Sequence, residues 1–285
     1  MLKNRFLSFL FIGLIYVVAV AGGWFLFQKL PFDYRISLLI CDIYSTIIVF
    51  IFSVAFSNAS VYDPYWSVQP IVIMIFFAAH YGLNFLGILL MIAICWWGLR
   101  LTSNWAYTFK NLTCQDWRYT MLHEKNGKFY PVINFIGIHM VPTLVVYLCV
   151  LPAVVAVYEQ AIFRPICAVF IAISILAALI QLIADIQMHT FRKAKADGKI
   201  SGEDTAFIRK GLWKHARHPN YFGEITMWWG IGLACVFAMP ENWFLIAGPV
   251  ANTLLFSFVS IPMADKRQSK KPGFDEYKKQ TRVLI

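Results

Sequence analysis

Eight apolar runs, each close to the roughly 20 residues that an α-helix needs to cross a bilayer, constrain this chain more than any motif in it. They cover residues 6–27, 36–57, 67–82, 84–107, 133–157, 162–188, 221–239 and 243–262, the third being the shortest. Inside lipid every backbone polar group must be paired within its own segment, so runs of this length fold as helices. A soluble domain carries about a quarter charged residues; this chain carries 14%, against 59% hydrophobic. The expected fold is therefore all-α, a polytopic membrane helical bundle of about eight transmembrane helices. The first run follows Lys3 and Arg5 and is too long for a signal-peptide core, so it reads as a retained helix.

Charge placement supports the even count. With eight spans, the N-terminus, the 108–132 and 189–220 loops and the tail after residue 262 share one side, and they hold 21 of the 25 Lys and Arg residues. The positive-inside rule places that side, with both termini, in the cytoplasm. The net charge of +10 is thus a signal of topology and of contact with anionic lipid, and no nucleic-acid partner is expected. Of the six cysteines, five lie in apolar runs and read as small hydrophobes; Cys114 lies in a loop. Neither a disulfide framework nor a metal site is expected. Sequons at Asn58 and Asn111 fall on the cytoplasmic side and should stay unmodified. No feature specifies an oligomeric state.

Polar residues gather where helices meet that side. Arg217-His218-Pro219-Asn220-Tyr221-Phe222-Gly223-Glu224 precedes a Trp-rich apolar run. Proline suits the first turn of a helix, and Asn220 and Glu224, four apart, share one face. Asp63 lies among Tyr62, Tyr65 and Trp66, before a proline that stops a helix from running through it. A carboxyl among aromatics tends to stay protonated and could then donate to a substrate carbonyl; an ordinary turn aspartate in an aromatic belt is the rival reading. Trp97, Arg100 and Asn104 form one stripe in the fourth run, where Arg100 either meets an anion or snorkels to the surface. Asp185, His189 and Arg192 share a face at the end of the sixth run. Arg118 in the 108–132 loop is a phosphate ligand or a solvated side chain. Arg209, Lys210, Lys214 and Arg217 suit a polyphosphate or anionic headgroups. There is no G-x-G-x-x-G and no P-loop, so a bound dinucleotide would not sit in a Rossmann fold.

These segments resemble the membrane reductases of the steroid 5α-reductase type, related to 3-oxo-5α-steroid 4-dehydrogenases, and most closely a bacterial branch of unknown function. The resemblance runs through Asn58–Pro70, Trp97–Trp105, Asp116–Tyr119, Asn134–Thr143, Asp185–Arg192, Arg217–Glu224 and the tail from Pro262 to Leu284. It implies a seven-span reductase-like domain over residues 35–285, preceded by an extra transmembrane helix within residues 1–34, in a bacterial inner membrane. It further implies NADPH held at the cytoplasmic helix ends, with Asn220 and Glu224 at the nicotinamide ribose and Asp185, Arg192 and Arg118 at the adenosine and phosphates. Arg100, Asn104, Arg209, Arg217 and Tyr221 complete the expected cofactor set. Asp63 falls where the reductases carry a catalytic Glu, and Tyr62 where they carry a Gln. Trp97 replaces their catalytic Tyr, so Tyr62 or Tyr65 is expected to assist Asp63. The implied reaction reduces a carbon–carbon double bond conjugated to a carbonyl in a lipophilic, steroid- or isoprenoid-like substrate. The alternative is an S-adenosylmethionine-dependent membrane methyltransferase of the isoprenylcysteine or phospholipid type, which shares an Arg-His-Pro-x-Tyr motif like Arg217 to Tyr221. The tail at Met263-Ala264-Asp265-Lys266-Arg267 lacks the paired Glu of those enzymes. A non-enzymatic lipid carrier is a third possibility, without nucleotide affinity.

Overall fold

The computed structural model of the protein describes residues 3–285, apart from the side chains at 203 and 204. Its described residues form helices and connecting loops, with one isolated backbone bridge between Ala216 and Arg282. Seven helical runs are long and apolar enough to cross a membrane. The remaining apolar helix, α3 (Tyr65–Tyr81), has 17 residues, about 25 Å at 1.5 Å per residue. It nevertheless traverses the bundle. Asp63, just before its start, meets Tyr119, and Tyr81 at its end accepts from Gln160 at the opposite end of the molecule. Seven of the eight expected spans are thus long and apolar enough to cross a membrane, and the third, α3, is the shortest of the eight.

The order is α1 (Arg5–Phe27), α2 (Tyr34–Ala55), α3, α4 (Phe85–Thr108), α5 (Trp117–Asn126), α6 (Tyr130–Ile133), α7 (Val141–Tyr158), α8 (Pro165–Ala196), α9 (Pro219–Ala238), α10 (Ala247–Leu255), α11 (Ile261–Gln268) and α12 (Phe274–Gln280). Two helices run past the expected spans. One reaches back from Tyr158 through a π-helical stretch at Asn134–Met140 to Tyr130, where Gly127, at φ +46°, separates it from α5. The other, α8, has 32 residues, about 48 Å against a hydrocarbon core of about 30 Å. Its last turns carry the polar residues of the candidate site out of the apolar slab.

Helices in lipid gain little from hydrophobicity alone and associate through close backbone approach. The tightest pair, α8 and α9, shows this at Gly223 and Gly230, two turns apart on one face. A Cβ on Gly223 would lie 2.6 Å from the Ala177 carbonyl oxygen, and one on Gly230 2.6 Å from that of Phe170. Ser174 reinforces the contact by donating to the Met227 carbonyl at 2.9 Å. The first helix is packed into the bundle. Ile12, Ile15, Tyr16 and Ala19 share a core with Val49, Val61, Tyr62 and Tyr65, and Arg5 donates to the Ala106 carbonyl at the end of α4.

Candidate functional site

At the end of the bundle where both termini lie, the chain folds back on itself. The C-terminal tail clamps the segment before α9: Arg217 N–H donates to Arg282 O, His218 N–H to Val283 O, and Arg282 N–H to His215 O. Tyr277 on α12 donates its hydroxyl to the Trp213 carbonyl at 2.5 Å, and Phe207, Phe274 and Tyr277 form a small core of their own. Between this cap and the outer turns of α8 is a cavity of about 330 Å³. Arg192, Lys195, Arg217, Arg267 and Lys271 line it, together with Asn220, Tyr221 and aromatic walls that include Trp117, Phe191 and Trp213.

The electrostatics of this cavity are one-sided. Asp265 is the single acid among its described lining residues, and it is already engaged, accepting from His218 Nε2 at 2.9 Å and Arg217 Nη2 at 3.4 Å. Arg267 lies over the Trp117 ring at 4.0 Å. Burial pushes the Lys271 ammonium below its ordinary pKa, and the charges of Arg267, Lys195 and Arg192 push it further the same way. Burial likewise pushes His218 down, although Asp265 opposes this. Such a concentration of weakly compensated cations stores a demand for an anion.

Of the cofactor residues expected from sequence, Arg192, Arg217, Asn220 and Tyr221 line this cavity. Arg209 stands behind its wall, 4.4 Å over the Phe207 ring. Four others are turned inward. Glu224 is buried and accepts three hydrogen bonds, from Trp97 Nε1 at 2.8 Å, Gln181 Nε2 at 2.9 Å and Trp228 Nε1 at 2.9 Å. Arg100 joins the same network through Gln181 and through a 2.8 Å ion pair with Asp185. One turn further along α8, His189 Nε2 meets Asn104 Oδ1 at 2.6 Å. Arg100, Asn104, Asp185 and Glu224 thus form an internal polar column behind the cavity, and Trp97 is one of the donors that holds it. Arg118, the last of the set, is outside the cavity lining, paired with Asp116 at 2.8 Å and 3.9 Å from Asp63.

Asp63 lies on the other side of α5. Its loop is laced to residues 112–116: Asn58 Nδ2 donates to Leu112 O at 2.7 Å, Gln115 accepts from Ala59 N–H at 2.9 Å, and Ser60 Oγ accepts from Asp116 N–H at 2.9 Å. Asp63 Oδ1 then accepts the Tyr119 hydroxyl at 2.5 Å, with Arg118 Nη2 at 3.9 Å. Burial raises the Asp63 carboxyl from 3.8 to about 6, against the opposing pull of Arg118 and Tyr119. The hydroxyls of Tyr62 and Tyr65 are engaged elsewhere, with Thr143 at 2.8 Å and with Asp42 at 3.0 Å. The phenol at Asp63 is Tyr119. Trp117 lines the cavity while its neighbours Arg118 and Tyr119 reach Asp63, so the first turn of α5 is the partition between the two.

Sequence reasoning gave Tyr119 no role of its own, because its partner is 56 residues away and no local spacing pairs them. It also passed over Asp42, which is buried in α2. The available signal was an ionisable residue in the middle of an apolar run, which is costly and usually kept for function. Among the described residues, no group of three or more His, Cys, Asp or Glu is placed to hold a metal ion.

A family described as protein of unknown function DUF1295 matches residues 49–281, and the chain belongs to that family. Neither the curated proteins nor the solved structures compared with it include a match.

Proposed function

We propose that this member of the DUF1295 family is an integral membrane reductase that uses NADPH to saturate a carbon–carbon double bond conjugated to a carbonyl in a lipophilic, steroid- or isoprenoid-like substrate. One observation carries the reading: a cation-rich, aromatic-walled cavity separated from a buried carboxyl–phenol pair by a single helical turn. The cavity suits a phosphate-bearing nucleotide, because Arg192, Lys195, Arg267 and Lys271 outnumber its one acid, Asp265, which Arg217 and His218 already engage, and Lys271 is held down by its neighbours. Arg192, Lys195, Arg267 and Lys271 would take the phosphates, and Asn220 and Tyr221 lie beside them at the start of α9. S-adenosylmethionine fits less well, since it brings a sulfonium cation and no phosphate to a site already rich in cations.

When bound, the cofactor supplies a hydride for the β-carbon of the enone. Asp63 and Tyr119 would hydrogen-bond the carbonyl oxygen and stabilise the negative charge that develops there, and a proton taken up at the α-carbon completes the addition. A carboxyl with its pKa raised to about 6 retains a proton more readily near neutral pH than an ordinary aspartate. Tyr119 takes the place of the phenol that the reductases carry where this chain has Trp97, whose indole N–H is committed to Glu224. The basic end, with both termini, would face the cytoplasm of a bacterial inner membrane.

The test is thermal stability of the detergent-purified protein with NADPH, NADH or S-adenosylmethionine, since a ligand that binds the folded form raises its apparent stability. NADPH should raise the melting temperature, and Arg192→Ala should reduce the shift. A shift with S-adenosylmethionine alone would refute the reductase assignment.

A further inference from the structure

A second cavity, of about 300 Å³, lies between α1, α2 and α3. It differs in kind from the basic one. Its walls are apolar, with Val20, Leu38, Val72, Ile73 and Phe76 among them. Trp24 and Ile75 also line it and are exposed on the lateral surface of the bundle at 41% and 55%, so the cavity opens sideways, toward lipid. At its wall are two polar side chains that an apolar interior should not tolerate without partners. Asp42 is 4% exposed and Gln69 is 8% exposed. Tyr65 donates to Asp42 Oδ1, but no group lies within full hydrogen-bond geometry of Asp42 Oδ2 or Gln69 Nε2, although the two side chains are near neighbours. A buried polar group left unpaired costs about 1–3 kcal/mol, and native structures keep such groups where something else pairs them.

The two vacancies differ in sense. The aspartate oxygen accepts and the glutamine amide donates. A hydroxyl can donate to the first and accept from the second; an ether oxygen can only accept. We propose that this cavity binds a membrane-soluble lipophile through a single hydroxyl that bridges Asp42 and Gln69, with its hydrocarbon body along α1 and α3. The site is independent of the reductase reading. Asp42 and all of α1 precede residue 49, where the family match begins, whereas Gln69 and the α3 wall lie within it.

The experiment uses the whole purified protein in lipid nanodiscs with a photoreactive diazirine derivative of a twelve-carbon primary alcohol, beside the methyl ether of the same probe. Mass spectrometry locates the adducts. The alcohol should label peptides from α1–α3 about tenfold more than the ether does. Asp42→Asn, which puts a donor where the unpaired acceptor stood in nearly the same shape, should bring the two probes to within about twofold because both can accept from it, whereas Gln69→Leu, which removes the donor that both probes can use, should lower labelling by both. Val20→Trp, at a position 37% exposed beside the cavity, should block labelling by both. Equal labelling of wild type by alcohol and ether, or full labelling of Val20→Trp, would overturn the proposal. Cofactor binding enters none of these readouts, so they stand or fall apart from the reductase assignment.

Discussion

Replacing Glu224 by Gln changes one atom of the internal column and should cost far more than its size suggests. Glu224 accepts at both oxygens: Oε1 from Trp228, Oε2 from Trp97 and Gln181. An amide must place its NH2 at one of them. The cheaper choice is the Oε1 position, where it opposes the single indole N–H of Trp228. That leaves a buried donor unpaired, at about 1–3 kcal/mol. The two hydrogen bonds kept at the other oxygen fall from charge-assisted to neutral, a loss of about 1 kcal/mol each. The total is about 3–5 kcal/mol, in the range measured when one partner of a buried charged network is removed. The assay is equilibrium unfolding in mixed micelles, run on Glu224→Gln, Trp228→Phe and the double variant. Trp228→Phe removes the donor that the amide opposes, so the double variant should cost about 1–2 kcal/mol less than the sum of the singles. A Glu224→Gln loss below about 1 kcal/mol, or strictly additive costs, would refute the reasoning and return Glu224 to a position free to face a ligand.

Asp63 should make stability depend on pH. Its carboxyl holds a proton to about pH 6 when folded, against an ordinary 3.8. The folded state therefore binds more protons between those values, and stability falls by about 3 kcal/mol as pH rises from about 4 to about 6; Asp63→Asn should remove that slope, and a parallel slope in the variant would contradict it. Lys271→Met should raise the melting temperature of the ligand-free protein while reducing its response to NADPH, because it removes a half-buried charge crowded by like charges; scanning calorimetry with and without cofactor reads both. Gly230→Ala should cost about 1–3 kcal/mol through overpacking against Phe170 and Ser174, whereas Gly13→Ala, with nothing within 4 Å of its Cβ, should stay within about 0.5 kcal/mol; matching losses in the same unfolding assay would argue against α8–α9 packing by backbone contact.

The membrane-spanning architecture was legible because apolar length alone marks a helix in lipid. The predicted spans differ from α1, α2 and α4 by only a few residues at their ends. What hydropathy missed was polar helix. The separate helix α5 starts on the Asp116 cap, which accepts from Arg118 N–H, ends at Gly127, and carries no apolar period to betray it. The outer turns of α8 were missed for the same reason. At the candidate site, residue types were legible and directions were not. Asn220 and Tyr221 face the basic cavity and Glu224, one turn on, faces inward, although the spacing put Asn220 and Glu224 on a single helix face. That divergence depends on Trp97 and Gln181, 127 and 43 residues away from Glu224. Charge placement survived the transition better than pairing, because it follows from which end of the bundle a loop occupies.

The lateral opening between Trp24 and Ile75 has a consequence for any measurement made there. A molecule that reaches the α1–α3 cavity comes from the hydrocarbon phase, and its supply is its mole fraction among the lipids. Doubling the lipid at constant molarity of that molecule halves its chance of occupying the cavity. The basic cavity, beyond the end of the apolar slab, responds to concentration in water and is indifferent to the same dilution. The two sites therefore titrate against different denominators, and a dissociation constant for the lateral one has meaning only as a ratio to lipid.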